Sequence, residues 1–344
     1  MDTNTLLALA QSAVDLGNVK AACEFFEVAL AQSPNNDEVL EAYAEIMIHY
    51  AQDPARAQQM LRHAIEINPN QGYVKYLNLA QLCEAAEALK CYEKAYEIAS
   101  LMLHGCRKKK MKKTLQETMA TMCCAVAELY LTDLCFNDDA EQQCEQAVTR
   151  ALELNSEIVE PHQLRASLRL SQCRPEEALE ALRIAVDLTH RLGEEHQPTY
   201  ESKIELARLL MQVEPAEAFS FLLEVLQYGD NNPYVWFLLG ECARMRGRYI
   251  DAARLLRRAR VMLVVSGGDA TSLAEVDAAI SVLVQEMGGP AAVAQVADID
   301  HPNPLELLQP EDDGAAMEAT GEHDEAAEED LAEPEWESCD EDEA

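Results

Sequence analysis

Residues 6–34 read LLALAQSAVDLGNVKAACEFFEVALAQSP, a stretch in which small and large apolar residues recur at helical spacing. Ala10, Ala22 and Ala29 are its small positions, Gly17 falls between two apolar periods, and a proline closes it. Glycine permits a tight turn, and proline ends a helix. The stretch therefore predicts two antiparallel helices that cross closely at the alanines.

The same pattern returns near residue 236. The first copy consists of Leu6, Leu9, Ala10, Ala13, Gly17, Ala22, Phe26, Ala29 and Pro34, and the later copy of Trp236, Leu239, Gly240, Ala243, Gly247, Ala252, Leu256 and Ala259. Both match the 34-residue tetratricopeptide pattern, in which a small residue at each helix crossing recurs at fixed offsets. Two full registers in one chain indicate a repeat protein.

Looser copies of the pattern fill the space between the two clear ones. They cover 40–69, 76–95, 114–154, 164–188 and 204–226, and an amphipathic stretch at 272–287 follows the last repeat. We expect an all-α fold, a right-handed superhelical solenoid of about seven tetratricopeptide helix-turn-helix repeats with a C-terminal capping helix. This client-binding solenoid should span residues 1–288.

The charge of the chain is strongly negative. It has 27 Lys plus Arg against 62 Asp plus Glu, a formal net charge of −35. Residues 289–344 are rich in Ala, Glu, Asp and Pro, a composition that predicts a disordered acidic tail. An acidic body and tail disfavour direct binding of nucleic acid and favour a basic protein as partner.

The sequence contains no recognisable motif for catalysis, metal binding or cofactor binding. The 11 cysteines are irregularly spaced, and no zinc-ligand pattern, P-loop, dinucleotide fingerprint or nucleophile elbow occurs. We therefore expect no enzyme activity, no metal and no cofactor. There is no run of about 18 apolar residues, so no membrane partner is expected either.

Four phrases in the middle and late repeats resemble a particular family. They are YLNLAQL at 76–82, ELYLTDLCF at 128–136, ASLRLSQ at 166–172 and VWFLLG at 235–240. Together with the acidic tail they are similar to the dedicated assembly chaperones of the large-subunit ribosomal protein L-four. The resemblance implies a chaperone that captures the basic internal loop of the new ribosomal protein, prevents its aggregation and delivers it for assembly of the 60S subunit. It also implies residence in cytoplasm and nucleus, with nuclear import factors as further partners.

The first helix of each repeat should line an inner groove, where side chains one turn apart face a bound peptide. Acidic and hydrogen-bonding residues dominate these positions. The predicted groove consists of Glu38, Glu41, Glu45, Gln81, Glu84, Glu128, Asp133, Glu160, Gln163, Ser167, Glu201, Arg208, Tyr234, Phe237 and Glu241. For any single glutamate, a solvated helix face is an equally good interpretation.

Other functions stay open from the residues alone. A generic tetratricopeptide scaffold or co-chaperone would need lysines in the groove to clamp a carboxylate, and Glu38, Glu41 and Glu45 have the opposite sign. A chaperone of histones or other basic nuclear proteins would share the same physics. The basic run at 107–113 is a solvated loop, a nuclear import signal, a latch for the tail or an RNA contact.

Overall fold

A computed structural model of the chain describes residues 1–193, 196–228 and 232–296. Within these ranges the secondary structure is entirely helical, with no strand. The helices are α1 Thr3–Asp15, α2 Val19–Gln32, α3 Asp37–His49, α4 Pro54–Ile67, α5 Val74–Ala80, α6 Ala85–Gly105, α7 Lys109–Leu131, α8 Ala140–Leu154, α9 Glu160–Ser171, α10 Pro175–Arg191, α11 Tyr200–Met211, α12 Pro215–Tyr228, α13 Pro233–Met245, α14 Tyr249–Ser266, α15 Ala270–Glu286 and α16 Pro290–Ala294.

Helices α1 to α14 form seven antiparallel pairs, as the repeat pattern predicts. We call the odd-numbered member of each pair the first helix and the even-numbered member the second helix. Ala10, Ala22 and Ala29 are fully buried where the helices of the first pair cross. Gly17 turns the chain between them at a φ of 72°, a left-handed conformation that glycine adopts without strain.

The last pair repeats this geometry with a closer approach. A Cβ atom added to Gly240 on α13 would lie 2.7 Å from the side chain of Leu256 on α14. The first pair has Ala10 and Phe26 at the equivalent positions, and both are buried. The small residue at this position therefore sets how closely the two helices of a pair can pack.

The third and fourth pairs depart from regular repeats. Helix α5 has only seven residues, whereas α6 has 21 and α7 has 23, the longest helices in the described ranges. Helix α7 begins at Lys109, inside the basic run, and not at residue 114 as the sequence predicts. Lysine is a good helix former, so residues 109–113 begin the helix, and only Arg107 and Lys108 of the run lie in the loop.

From α7 onward, consecutive first helices pack on one another and form an inner layer. Helix α9 contacts both α7 and α11, and α13 contacts both α11 and α15. Each second helix packs mainly against the first helices before and after it. This arrangement places the stripes of α7, α9 and α11 side by side on one concave face.

The C-terminal end of the described chain is covered by α15 and α16. Helix α15 agrees closely with the capping helix predicted at 272–287. Ordered packing continues past the predicted boundary at residue 288, because Val293 on α16 is buried and Arg257 donates to the carbonyl oxygen of Val296 at 2.7 Å. The rest of the predicted tail, from residue 297, lies outside the described residues.

Candidate functional site: an acidic groove on the first helices

A cleft of about 650 Å³ opens on the concave face where α7, α9 and α11 lie side by side. One wall is a stripe of α7 side chains, and the opposite wall is made of the segments that lead into α9 and α11. The lining residues are Lys113, Glu117, Thr121, Asn155, Glu157, Ile158, Val159, Glu160, Leu192, His196, Gln197, Pro198, Thr199 and Ser202. The lining thus combines apolar side chains with the carboxylates of Glu117, Glu157 and Glu160.

Two predicted groove residues, Glu128 on α7 and Glu160 on α9, act on each other electrostatically in this region. Enclosure by surrounding protein and then repulsion from Glu128 raise the pKa of Glu160 above its ordinary value. Solvent still reaches the Glu160 side chain. Neither carboxylate has an ion-pair partner in the described part of the chain. The pair is therefore an uncompensated negative site, which a cation from outside would stabilise.

The predicted groove residues on α3 have different surroundings. Glu38 and Glu45 are exposed, whereas Glu41 forms an ion pair with Lys75 of α5 at 3.3 Å. The Lys75 side chain is fully buried, and its second carboxylate, Asp37, lies 4.0 Å away. Burial raises the pKa of Glu41, and the nearby Lys75 charge offsets part of that rise. Glu41 thus compensates a buried cation, and only Glu38 and Glu45 are available to a ligand.

Aromatic side chains lie at the end of the groove on α13. The rings of Tyr234 and Phe237 stack with centroids 5.9 Å apart, and Tyr234 stays exposed at 39%. Burial raises the pKa of the Tyr234 hydroxyl. Arg208 on α11 is held by Glu205, with Nε to Oε2 at 2.8 Å, so its charge is already paired. The aromatic pair offers an apolar surface beside the acidic cleft.

Several predicted groove residues hold the repeats together. Gln163 is buried, and its Nε2 donates to the carbonyl oxygen of Ser202 at 2.8 Å, joining α9 to α11. Glu241 accepts two hydrogen bonds from Arg244, which also binds Glu286 of the capping helix at 3.0 Å. These side chains are satisfied within the protein, so they contribute to packing more than to a ligand site.

Three predicted groove residues lie outside the first-helix stripes. Gln81 follows the end of α5, Glu84 precedes α6, and Asp133 comes after the end of α7. All three are exposed in turns. Of the remaining predictions, Ser167 on α9 is half-buried and Glu201 on α11 is exposed. Of the predicted groove residues, only Glu160 therefore lines the cleft formed by α7 and the starts of α9 and α11.

Sequence reasoning missed the upper part of the α7 stripe. Lys113, Glu117 and Thr121 precede Glu128 at spacings of three to four residues or multiples of them, so they share its face. Glu117 and Thr121 lie inside the helix predicted to begin at residue 114, and their spacing from Glu128 was the available signal, whereas Lys113 falls before that start. The cleft walls at 155–159 and 192–199 carry no helical periodicity, and no pattern in the sequence marks them.

The phrase ASLRLSQ at 166–172 has a structural explanation. Arg169 is nearly buried, and its Nη2 donates to Oε1 of Glu145 on α8 at 2.7 Å, while its Nε lies 3.1 Å from Oε2 of Glu177 on α10. The bond from Arg169 lowers the pKa of Glu145. Gln172 accepts from Arg169 Nη1 at 2.8 Å. This arginine therefore ties three consecutive helices together.

No group of three metal-ligating side chains converges anywhere in the described ranges. None of the helices in those ranges is long and apolar enough to cross a membrane.

Known proteins resemble this chain in both sequence and fold. A family model described as tetratricopeptide repeat matches residues 13–82. A protein of Schizosaccharomyces pombe named probable assembly chaperone of rpl4 is 35% identical over 227 residues, which cover 62% of this chain and 65% of the relative. A protein of Emericella nidulans with the same name is 28% identical over 271 residues, covering 74% of this chain and 67% of the relative. The chain thus spans about two thirds of the length of these relatives.

A solved structure titled assembly chaperone of RpL4 (Acl4), residues 1–338, superimposes with a TM-score of 0.67 at 26% identity. The match covers 72% of this chain and 98% of that one. A tetratricopeptide repeat protein from Parabacteroides merdae shares the fold at a TM-score of 0.53 and 16% identity.

The chain is therefore an all-α tetratricopeptide-repeat protein, as its periodicity predicts. Within that class it is a relative of the assembly chaperones of the ribosomal protein L-four, and the resemblance seen in its four sequence phrases is confirmed.

Proposed function

We propose that this protein is a chaperone of the ribosomal protein L-four. Its concave groove binds the basic internal loop of the newly made ribosomal protein, prevents its aggregation and delivers it for assembly of the 60S subunit. The protein acts in cytoplasm and nucleus, by binding alone and without catalysis. The names of the relatives point to this client, and the net charge of −35 suits a basic one.

The observation that carries the proposal is the negative site formed by Glu128 and Glu160, of which Glu160 also lines the cleft that Ile158 and Pro198 border. Lysine and arginine side chains of an extended loop would neutralise this pair, and an apolar side chain of the same loop would fill the floor made by Ile158 and Pro198. Each exposed charge pair contributes about 0.2–1 kcal/mol, so affinity comes from several such contacts and one apolar anchor.

A co-chaperone that holds an acidic C-terminal peptide is disfavoured by the same surface. Such a peptide would meet Glu117, Glu157 and Glu160 at the rim of the cleft, where Lys113 is the single cation among the lining residues. A histone or another basic nuclear protein would fit the charges equally well. The identity of the client therefore rests on the relatives, and the test below includes both kinds of basic peptide.

The test is the rate at which a peptide with the sequence of the basic internal loop leaves the protein, measured by surface plasmon resonance. The variant Glu128→Gln with Glu160→Gln should dissociate about tenfold faster, because two charge pairs at the upper end of the exposed range are lost. A matched control is Glu176→Gln with Glu180→Gln, which removes two exposed carboxylates from the second helix α10.

Equal effects of the two double variants would contradict a groove site and leave only the net charge as the cause. A histone-tail peptide of the same charge serves as the second ligand. If it binds as tightly as the ribosomal loop and responds to the same variant, the groove is real but the client assignment is wrong.

A further inference from the structure

The basic run forms a separate positive surface on this acidic protein. The last buried residue of α6 is Ala99 and the first buried residue of α7 is Leu115. Between them Leu103 and Cys106 pack partly against the core, and the exposed basic residues lie at its edge. At 1.5 Å per residue, each helix extends about 9 Å past its last buried side chain. We call residues 100–114 the α6–α7 tip.

The charge of the α6–α7 tip is entirely positive. It contains six cations and no Asp or Glu, and all six cations are exposed. Only Lys113 has an acidic partner, Glu117 at 3.6 Å, and the other five form no ion pair with any described residue. The acid nearest to the tip on α6, Glu97, is paired with Lys94. Glu157 and Glu160 line the same cleft as Lys113, so the unneutralised positive charge of the tip is that of its other five cations.

These lysines do not serve the stability of α7. They occupy the N-terminal turns of the helix, which has no acidic residue in its first turn and no side-chain cap. Positive charges at this end of a helix oppose the helix dipole. A helix that keeps four lysines there under such conditions presents them to an anionic ligand.

Because of its position, the tip can attract nucleic acid although the chain as a whole is strongly acidic. Charges are screened over about 8 Å at physiological ionic strength, which is similar to the projection of the tip. A polyanion at the tip therefore meets the six local cations before it meets the acidic body. No Phe, Tyr or Trp lies within 100–114, and His104 is the one ring on which a base could stack, so the contact is mainly to phosphates.

We propose that the α6–α7 tip is a sequence-independent binding surface for the phosphate backbone of RNA. An import signal recognised as an extended peptide would first require the start of α7, from Lys109 onward, to unwind. Lys113 lines both the tip and the cleft of the groove, so RNA bound at the tip lies at the rim of that groove. The proposal does not depend on which client the groove holds.

The test uses the full chain without a client and a fluorescein-labelled 20-nucleotide oligo(U) at 0.1 M salt, followed by fluorescence anisotropy. The variant Lys109→Gln, Lys110→Gln, Lys112→Gln should bind at least tenfold more weakly. The slope of log K against log salt should fall by about 2, since each lost phosphate contact accounts for about 0.7. Replacing the same three residues with arginine should preserve binding, and circular dichroism should show that all variants remain helical.

The matched control is Lys20→Gln, Lys90→Gln, Arg150→Gln, which changes the charge equally at three exposed positions outside the tip. Binding by this control should match the parent. An equal loss in both triple variants, or no loss in the tip variant, would overturn the proposal. Displacement of oligo(U) by an equal concentration of a 20-residue poly-glutamate would also overturn it, because the surface would then suit an acidic protein instead.

Discussion

Two acidic clusters on the first helices differ in one respect. Asp37 and Glu41 flank the buried Lys75, whereas Glu128 and Glu160 repel each other and have no cation partner among the described residues. The first cluster is neutralised within the fold and joins α3 to α5. The second keeps its negative charge, and repulsion contributes to the raised pKa of Glu160. Acidic composition alone therefore does not identify a binding site, because the structural and the available glutamates look alike in the sequence.

The largest effect should come from removing the partner of the buried lysine. Glu41→Gln leaves Lys75 buried with only Asp37 at 4.0 Å, and an uncompensated buried charge costs about 3–5 kcal/mol. Urea unfolding should show this loss, while Glu38→Gln on the exposed face of the same helix should stay within about 0.5 kcal/mol of the parent.

Adding Lys75→Met to Glu41→Gln should recover most of that stability, because an apolar side chain of similar length needs no carboxylate. A loss below about 1 kcal/mol for Glu41→Gln alone would mean that water reaches Lys75, and the contrast between the two clusters would then disappear. Client-binding tests should for the same reason leave Glu41 intact and change Glu38 and Glu45.

A smaller effect is expected at Arg169, a second nearly buried cation. Arg169→Lys keeps the charge but loses the planar fork that engages Glu145 and Gln172 together. We expect a loss of about 1–3 kcal/mol in urea unfolding. Arg174→Lys is the control, because Arg174 is exposed and its ion pair is with Glu177, three residues along the chain. Equal losses for both would show that Arg169 is no more than a surface ion pair.

The smallest effect, with the opposite sign, should appear at the uncompensated pair. The pKa of Glu160 is raised in the folded protein, so its ionised form opposes folding at pH 7 and this penalty disappears below the pKa of the unfolded chain, about 4.3. Glu160→Gln should therefore raise the melting temperature slightly at pH 7, by the equivalent of about 0.5 kcal/mol or less. The helix dipole at the start of α9 offsets part of the gain.

Thermal unfolding of parent and variant at pH 7 and pH 4 measures this difference, with Glu176→Gln as the control. The gain should vanish at pH 4, where both forms carry a neutral group at residue 160. A melting temperature that falls at pH 7 would mean that Glu160 already has a cation within the fold.

The repeat pattern was sufficient to predict the helix pairs, because the small residues at the helix crossings recur at regular spacing in the sequence. Ala252 and Ala259 are buried as the register requires, and α15 starts within two residues of its predicted position. Local helix propensity and apolar spacing determine these features, and both can be read along the chain.

The composition of the site was harder to predict, because it depends on which helix faces meet. Glu41 and Lys75 are 34 positions apart, and nothing in either helix marks the pair. Gln163 has the spacing of a groove residue, yet the packing of α9 against α11 buries it. Such contacts are set by rotation and distance between helices, which periodicity does not encode.

The packing of each helix on its near neighbours also bears on how the protein is made. Helices in the described ranges contact partners one or two elements away along the chain, so the mean sequence separation of contacts is small. Chains with such local contacts fold rapidly, and domains form in order during synthesis. The first pairs, with Glu38 and Glu45 already in place, can therefore fold while the later repeats are still being translated.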